Sequence, residues 1–228
     1  MSSADERKLL LGLLKNKSGH KQDVFENTKD WFYILKKELG ECIDSLKGEL
    51  KDDRIRLRYE DKGPGEARLF IGSDVLVFHM HSNVFKLPNQ DYSSQTSYVK
   101  DNPQNAYCGI INVYDFLADS YEYNRPHDVG YLISRIFINK DNHFKVQGKG
   151  PLGFMYKNLM HQVLTPEILH EVVLRIAVYA LDFDLLTPPY QAVSQVSVGE
   201  LLELSSNSKL STGKRLGFRF QSDQDIES

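Results

Sequence analysis

The stretch that decides the fold runs from residue 54 to residue 81 and reads RIRLRYEDKGPGEARLFIGSDVLVFHMH. Its first six residues alternate strictly, with arginine on one face of a strand and apolar side chains on the other. Turn signals at residues 62–65 and 72–74 separate two further apolar strands. The pattern predicts a three-strand antiparallel meander with one apolar face. The arginine face is expected to be solvated, with contact to phosphates or an acidic partner as the alternative.

A long amphipathic helix is predicted before the meander, from about Asp23 to Leu50. Its stripe follows spacings of three and four: Phe25, Thr28, Phe32, Leu35, Leu39, Cys42 and Leu46. Such a stripe indicates a helix that packs one face against a core along its whole length. The same spacing is typical of a coiled-coil seam, so a homodimer through residues 25–46 is the alternative.

The N-terminal residues 4–15 predict a short amphipathic helix, which Lys17-Ser18-Gly19 is expected to end. The apolar run within it is about six residues long, shorter than the roughly 7–15 residues of a signal-peptide core. No stretch of the sequence approaches the ~20 apolar residues of a membrane span. We therefore expect no export signal, no contact with a membrane and a cytoplasmic location.

The second half of the chain predicts more strands and then helices. Residues 106–116 are expected to form a strand, residues 131–138 and 143–148 a hairpin, and Thr165-Pro166 to start a strongly apolar helix. The whole order predicts an α+β fold, in which an antiparallel sheet of about six to seven strands packs against the long N-terminal helix and C-terminal helices. We expect a single domain over residues 1–221 and an acidic flexible tail over residues 222–228.

Composition excludes few classes of function. The 228 residues are 41% hydrophobic and 26% charged, as in ordinary globular proteins. The formal net charge of −3 argues against duplex nucleic acid as the main partner, because phosphate binding usually requires a basic excess. The two cysteines, Cys42 and Cys108, are far apart in the sequence and are interpreted as reduced, buried residues.

Two long polar segments, residues 82–105 and 118–128, interrupt the predicted elements, and long loops in compact domains are often functional. The second contains Tyr121, Tyr123, Arg125 and His127, a mixture of aromatic and ionisable side chains that suits recognition. The leading hypothesis is therefore a non-enzymatic binding or assembly protein. Its two segments would recognise another protein or a small ligand.

The alternative is a metal-dependent hydrolase or nuclease. His79 and His81 lie two apart on a predicted strand, so both imidazoles could reach one divalent metal ion. At the open end of the predicted hairpin, Asp128, Gln147 and Lys149 could converge, in an arrangement similar in outline to a divergent nuclease site. In this comparison Gln147 occupies a position at which such nuclease sites have an acidic residue. The familiar nucleotide-binding and nucleophile motifs are missing from the sequence, and no other cofactor is indicated.

Overall fold

A computed structural model describes residues 2–148, 150–183 and 189–199 of the chain. It contains a seven-stranded antiparallel sheet, a long N-terminal helix and a C-terminal helix, so the predicted α+β class is confirmed. Three parts of the sequence predictions lie outside the described residues: Lys149, the end of the predicted domain from residue 200 to 221, and the predicted tail at 222–228.

The N-terminal helix continues through the predicted break. Helix α1 (Ser3–Leu13) passes through a π-helical segment (Leu14–Ser18) into helix α2 (Gly19–Glu49). A capping box starts α1. The Ser2 hydroxyl accepts a hydrogen bond from the backbone N–H of Asp5, and the Asp5 carboxylate accepts one from the backbone N–H of Ser2. At the predicted break the backbone N–H of Gly19 bonds to the carbonyl of Leu14, so the wider i→i+5 turn carries the helix onward.

The sheet is antiparallel at every pairing. Its strands are β1 (Leu57–Asp61), β2 (Glu66–Ile71), β3 (Asp74–Met80), β4 (Phe85–Lys86), β5 (Tyr107–Leu117), β6 (Tyr131–Ile138) and β7 (Phe144–Gly148). They lie in the order β1-β2-β3-β5-β6-β7, and β4 pairs with the first residues of β5. The meander is thus confirmed. Its first strand begins at Leu57 rather than Arg54, since Asp52 binds the backbone and guanidinium of Arg54.

The remaining helices are short apart from one. They are α3 (Ser97–Asp101), α4 (Ala118–Glu122), α5 (Pro151–Met155), α6 (Pro166–Asp182) and α7 (Tyr190–Val193). As predicted, Thr165 caps α6 and its hydroxyl accepts from the N–H of Ile168. Among the described residues, none of the helices combines the length and apolar character that crossing a bilayer requires.

The core lies between one face of the sheet and helices α2 and α6. Phe32, Leu35 and Leu39 of α2 are almost completely buried there, together with Leu169, Val172 and Ile176 of α6. The α2 stripe therefore packs against the chain's own sheet over most of the predicted length, whereas Leu46 near its end is 36% exposed. The alternative, a homodimer seam through residues 25–46, would need the buried side chains of this stripe at the surface.

Candidate functional site

Five polar side chains form one row across the outer face of the sheet, the face opposite α2 and α6. Cross-strand pairing aligns, in strand order, Glu66, His79, Asn112, Arg135 and Gln147, which we call the polar row. The row spans five strands, so its ends lie roughly 19 Å apart at about 4.8 Å per strand. Arg135 Nη2 donates to Oε1 of Gln147 at 2.5 Å. His79 is exposed, whereas Asn112 at the centre of the row is buried.

The polar row separates two apolar patches, and each patch is covered by one of the two predicted recognition segments. Segment 82–105 and its neighbour Ala106 pack on Cys108, Ile110 and Phe137. Segment 118–128 covers Phe70, Val75 and Val77 on the other side, through Ala118 and Tyr121. The two segments therefore form walls on either side of the polar row. The sequence of neither segment indicates this arrangement by itself.

Ion pairing and ring stacking anchor segment 82–105 to the sheet. Lys145 of β7 lies 2.6 Å from Oδ2 of Asp91, and Tyr98 stacks on the ring of His143 with centroids 4.4 Å apart. Burial opposes ionisation of Asp91, but bonds from Lys145 and the backbone N–H of Ser93 outweigh it and lower the pKa of Asp91. The segment is thus a packed cover whose position the sheet determines.

Segment 118–128 is anchored through arginines of the meander. Arg56 lies 3.2 Å from Asp119 and 3.1 Å from Glu122, and Arg58 lies 3.5 Å from Glu122. The arginine face was expected to be solvated, yet these two side chains neutralise carboxylates of α4. Local sequence could not show this, because the partners are about sixty residues away in the chain.

The four predicted binding residues divide into two groups. Tyr121 meets the ring of Phe116 edge-on at 5.5 Å, and the Arg68 guanidinium lies 4.2 Å above its centroid. Burial raises the pKa of the Tyr121 phenol. Arg125 lies 3.2 Å from Asp128, within its own loop. These two side chains hold the segment in place, while Tyr123 and His127 are exposed to solvent.

Two members of the predicted cluster, Asp128 and Gln147, make contacts with different residues, and the third, Lys149, lies outside the described residues. Asp128 accepts from the Ser120 hydroxyl at 2.6 Å, whereas Gln147 belongs to the polar row and accepts from Arg135. The hairpin pairs Ser134 with Gly148. The sequence predicts a register that differs by one residue, with Leu132 opposite position 149. That shift follows from a turn centred on Asp141, and one residue of register changes which face a side chain occupies.

His79 and His81 both lie at the outer face of the sheet, since residues two apart on an extended strand share one face. The backbone N–H of His81 bonds to the carbonyl of Ile110, so pairing continues just beyond β3. His81 Nδ1 accepts from the N–H of Asn83 at 3.0 Å. His79 and Gln147 are three strands apart, or roughly 14 Å, too far to share one metal ion. Within the described part of the chain, no group of three or more His, Cys, Asp or Glu side chains is placed to hold a metal ion.

Arg135 differs from the other cations near the polar row in its partner. Arg68 pairs with Glu66 at 2.6 Å and Lys145 pairs with Asp91, so each of these charges meets a carboxylate. Arg135 donates to the neutral amide of Gln147, and its guanidinium lies 5.5 Å from the centroid of Phe137. Because the Gln147 amide is neutral, it does not compensate the positive charge of this guanidinium, which can therefore pair with an incoming carboxylate or phosphate.

Both cysteines are free and buried, as predicted. Burial raises the pKa of the Cys108 thiol to about 12, and burial also raises that of Cys42. Because a nucleophilic cysteine acts as its thiolate, neither side chain suits that role at neutral pH.

A second candidate surface was not identified from the sequence. Five leucines of the N-terminal helix are 47–56% exposed: Leu9, Leu10, Leu11, Leu13 and Leu14. Within residues 3–18, all of which the structure describes, no side chain is buried. We call residues 3–18 the leucine arm. The run LLLGLL at residues 9–14 shows an apolar segment, but the sequence does not show that the described fold leaves it uncovered.

Comparison of the chain with protein-family models, with curated proteins and with solved structures finds no match.

Proposed function

We propose that this chain is a non-enzymatic binding protein that holds an acidic partner segment on the outer face of its sheet. The observation that carries the proposal is the polar row, which runs between the two covering segments 82–105 and 118–128. A rigid sheet with fixed walls presents its side chains at little conformational cost on binding. This arrangement favours recognition over chemistry that would need several convergent catalytic groups.

The charge of the polar row favours an acidic ligand. Glu66 is already paired with Arg68, so the charge remaining in the row is that of Arg135. Gln147 beside it and the exposed His79, two strands away, offer further hydrogen-bond donors. Carboxylate oxygens match such a set, since charge-assisted bonds to guanidinium are stronger than bonds between neutral groups.

Exposed aromatic side chains on the walls support a peptide as the partner. Phe85 and Tyr92 of segment 82–105 and Tyr123 of segment 118–128 are 39%, 63% and 46% exposed. Exposed aromatic rings are enriched at binding interfaces, where they supply large contact area with few rotatable bonds. A peptide that contributes acidic and apolar groups would use both the row and its walls.

Titration of ¹⁵N-labelled protein with a short glutamate-rich peptide tests this proposal. Amide shifts should cluster at the polar row and be lost in Arg135→Gln. Arg54→Gln is the matched control, because Arg54 is 89% exposed, pairs with Asp52 away from the row, and should leave binding unchanged. Shifts scattered over the surface, or unaffected by Arg135→Gln, would refute the proposal.

Titration of the same sample with Zn²⁺ tests the alternative, a metal-dependent hydrolase or nuclease. Saturable shifts of both the His79 and His81 rings would favour it over peptide binding. As part of the same proposal we place the protein in the reducing cytoplasm, which is supported by its two buried, unpaired thiols.

A further inference from the structure

The leucine arm carries an apolar surface that the described residues of its own chain do not bury. Its base is fixed near residue 20, where Nε2 of the buried His20 lies 2.9 Å from the Gln104 carbonyl oxygen. From there the helix projects over sixteen residues, or roughly 24 Å. An isolated helix of this length is marginal in water, and exposed leucines add an unfavourable contact with solvent. A surface that covers the leucines would remove both costs.

The polar residues of the leucine arm indicate what this surface is. Helical spacings of i, i+3, i+4 and i+7 align Glu6, Leu9, Leu10 and Leu13 on one face. The same spacings carry this stripe on to Leu14 and, one turn later in the π-helical segment, to Lys17. The stripe therefore has an acid at its N-terminal end, leucines in the middle and a base at its C-terminal end. Such a sequence is complementary to itself when a second helix runs in the opposite direction.

We propose that the leucine arms of two copies of this chain pair antiparallel. A two-fold axis between residues 11 and 12 places Leu10 opposite Leu13 of the other copy and Leu9 opposite Leu14. The same register brings Glu6 of each copy beside Lys17 of the other, so two ion pairs flank the leucines. Leu11 lies on a different side of the helix and is outside this interface.

The area of the paired leucine arms sets the strength of the dimer. Two helices in contact over roughly 20 Å bury less than the 1,200–2,000 Å² of standard specific interfaces, so the dimer should dissociate on dilution. The helical rod is continuous with α2, whose position the core determines. This continuity fixes the C-terminal end of the leucine arm, so pairing costs less entropy than it would for an unattached helix.

Sedimentation equilibrium of the full chain, over roughly a hundredfold range of concentration, tests the pairing. The mass should rise from 26.2 kDa towards twice that value. The double variant Leu10→Glu, Leu13→Glu should raise the dissociation constant at least about tenfold, because charges replace the central leucines. Leu11→Glu is the matched control and should leave the constant unchanged. A wild type that stays monomeric throughout would overturn the proposal.

Charge reversal tests the antiparallel register separately. Glu6→Lys alone should weaken the dimer, since it opposes two bases at each end, and adding Lys17→Glu should restore the wild-type constant. In a parallel dimer like charges face each other in all three proteins, so equal constants would contradict the proposed register. The substituted side chains are exposed in the monomer, so unchanged thermal unfolding of each diluted variant confirms that the domain remains folded.

Discussion

The two parts of the N-terminal helical rod, residues 3–18 and residues 19–49, have similar patterns and different surroundings. Both carry leucines at helical spacing. In α2 the stripe is buried between the sheet and α6, while in the leucine arm the side chains remain about half exposed. Periodicity predicts that a helix has an apolar face, but the surface that covers this face depends on the rest of the fold.

Truncating one leucine in each part should give the largest contrast. Leu35→Ala should lower the free energy of unfolding by about 2–5 kcal/mol, because the fully buried side chain leaves a cavity. Leu10→Ala should change it by less than about 0.5 kcal/mol in the dilute monomer. Urea unfolding at low protein concentration measures both values. Equal losses would mean that the leucine arm packs inside its own chain.

A methyl group added at a glycine that faces α2 and at a glycine of the leucine arm should act in opposite directions. A Cβ at Gly109 would overlap the side chain of Thr28, where α2 approaches β5, so Gly109→Ala should cost about 1–3 kcal/mol. In the arm, apart from its chain neighbours and its own helix backbone, no heavy atom of the described residues lies within 4 Å of a Cβ at Gly12. Gly12→Ala should therefore stabilise its helix, by at most about 1 kcal/mol. Thermal unfolding of both variants checks the signs, and a destabilised Gly12→Ala would contradict the open arm.

The smallest expected effect concerns pH and the cover of the outer face. The lowered pKa of Asp91 means that its pairing with Lys145 stabilises the fold above the unfolded value of about 3.9. This contribution is lost as the pH falls from about 5 through the lower folded pKa. The variant Asp91→Asn, Lys145→Gln should show a flatter fall of stability in this window. Identical slopes in urea unfolding at several pH values would show that the pair does not anchor the cover.

Most of the fold could be predicted from the sequence because its signals are local. The alternation of residues 54–59, the turn signals of the meander and Thr165-Pro166 before α6 each act within a few residues. The sequence predicts a break at Lys17-Ser18-Gly19, because serine and glycine are weak helix formers. The wider turn of the π-helical segment, which carries the helix onward there, leaves no sequence signature. The surroundings of the helices, by contrast, required the three-dimensional structure.

The candidate site was predicted less completely, because it depends on strand register. The sequence predicts His79 as a metal ligand and Gln147 as part of a separate catalytic cluster, and no local pattern indicates Arg135. Their alignment follows from the pairing of four strands, whose registers depend on residues far apart in the sequence.

Hydrogen exchange of the backbone amides, measured at several protein concentrations, tests the contrast between the two helical parts most directly. We expect residues 24–43 to exchange slowly at every concentration, since the core protects them. Amides of residues 3–18 should exchange rapidly in dilute wild-type protein and become protected as the concentration rises. In the variant Leu10→Glu, Leu13→Glu they should remain rapid throughout. Strong protection of residues 3–18 in this variant, or in dilute wild type, would contradict the idea that a second copy covers the leucine arm.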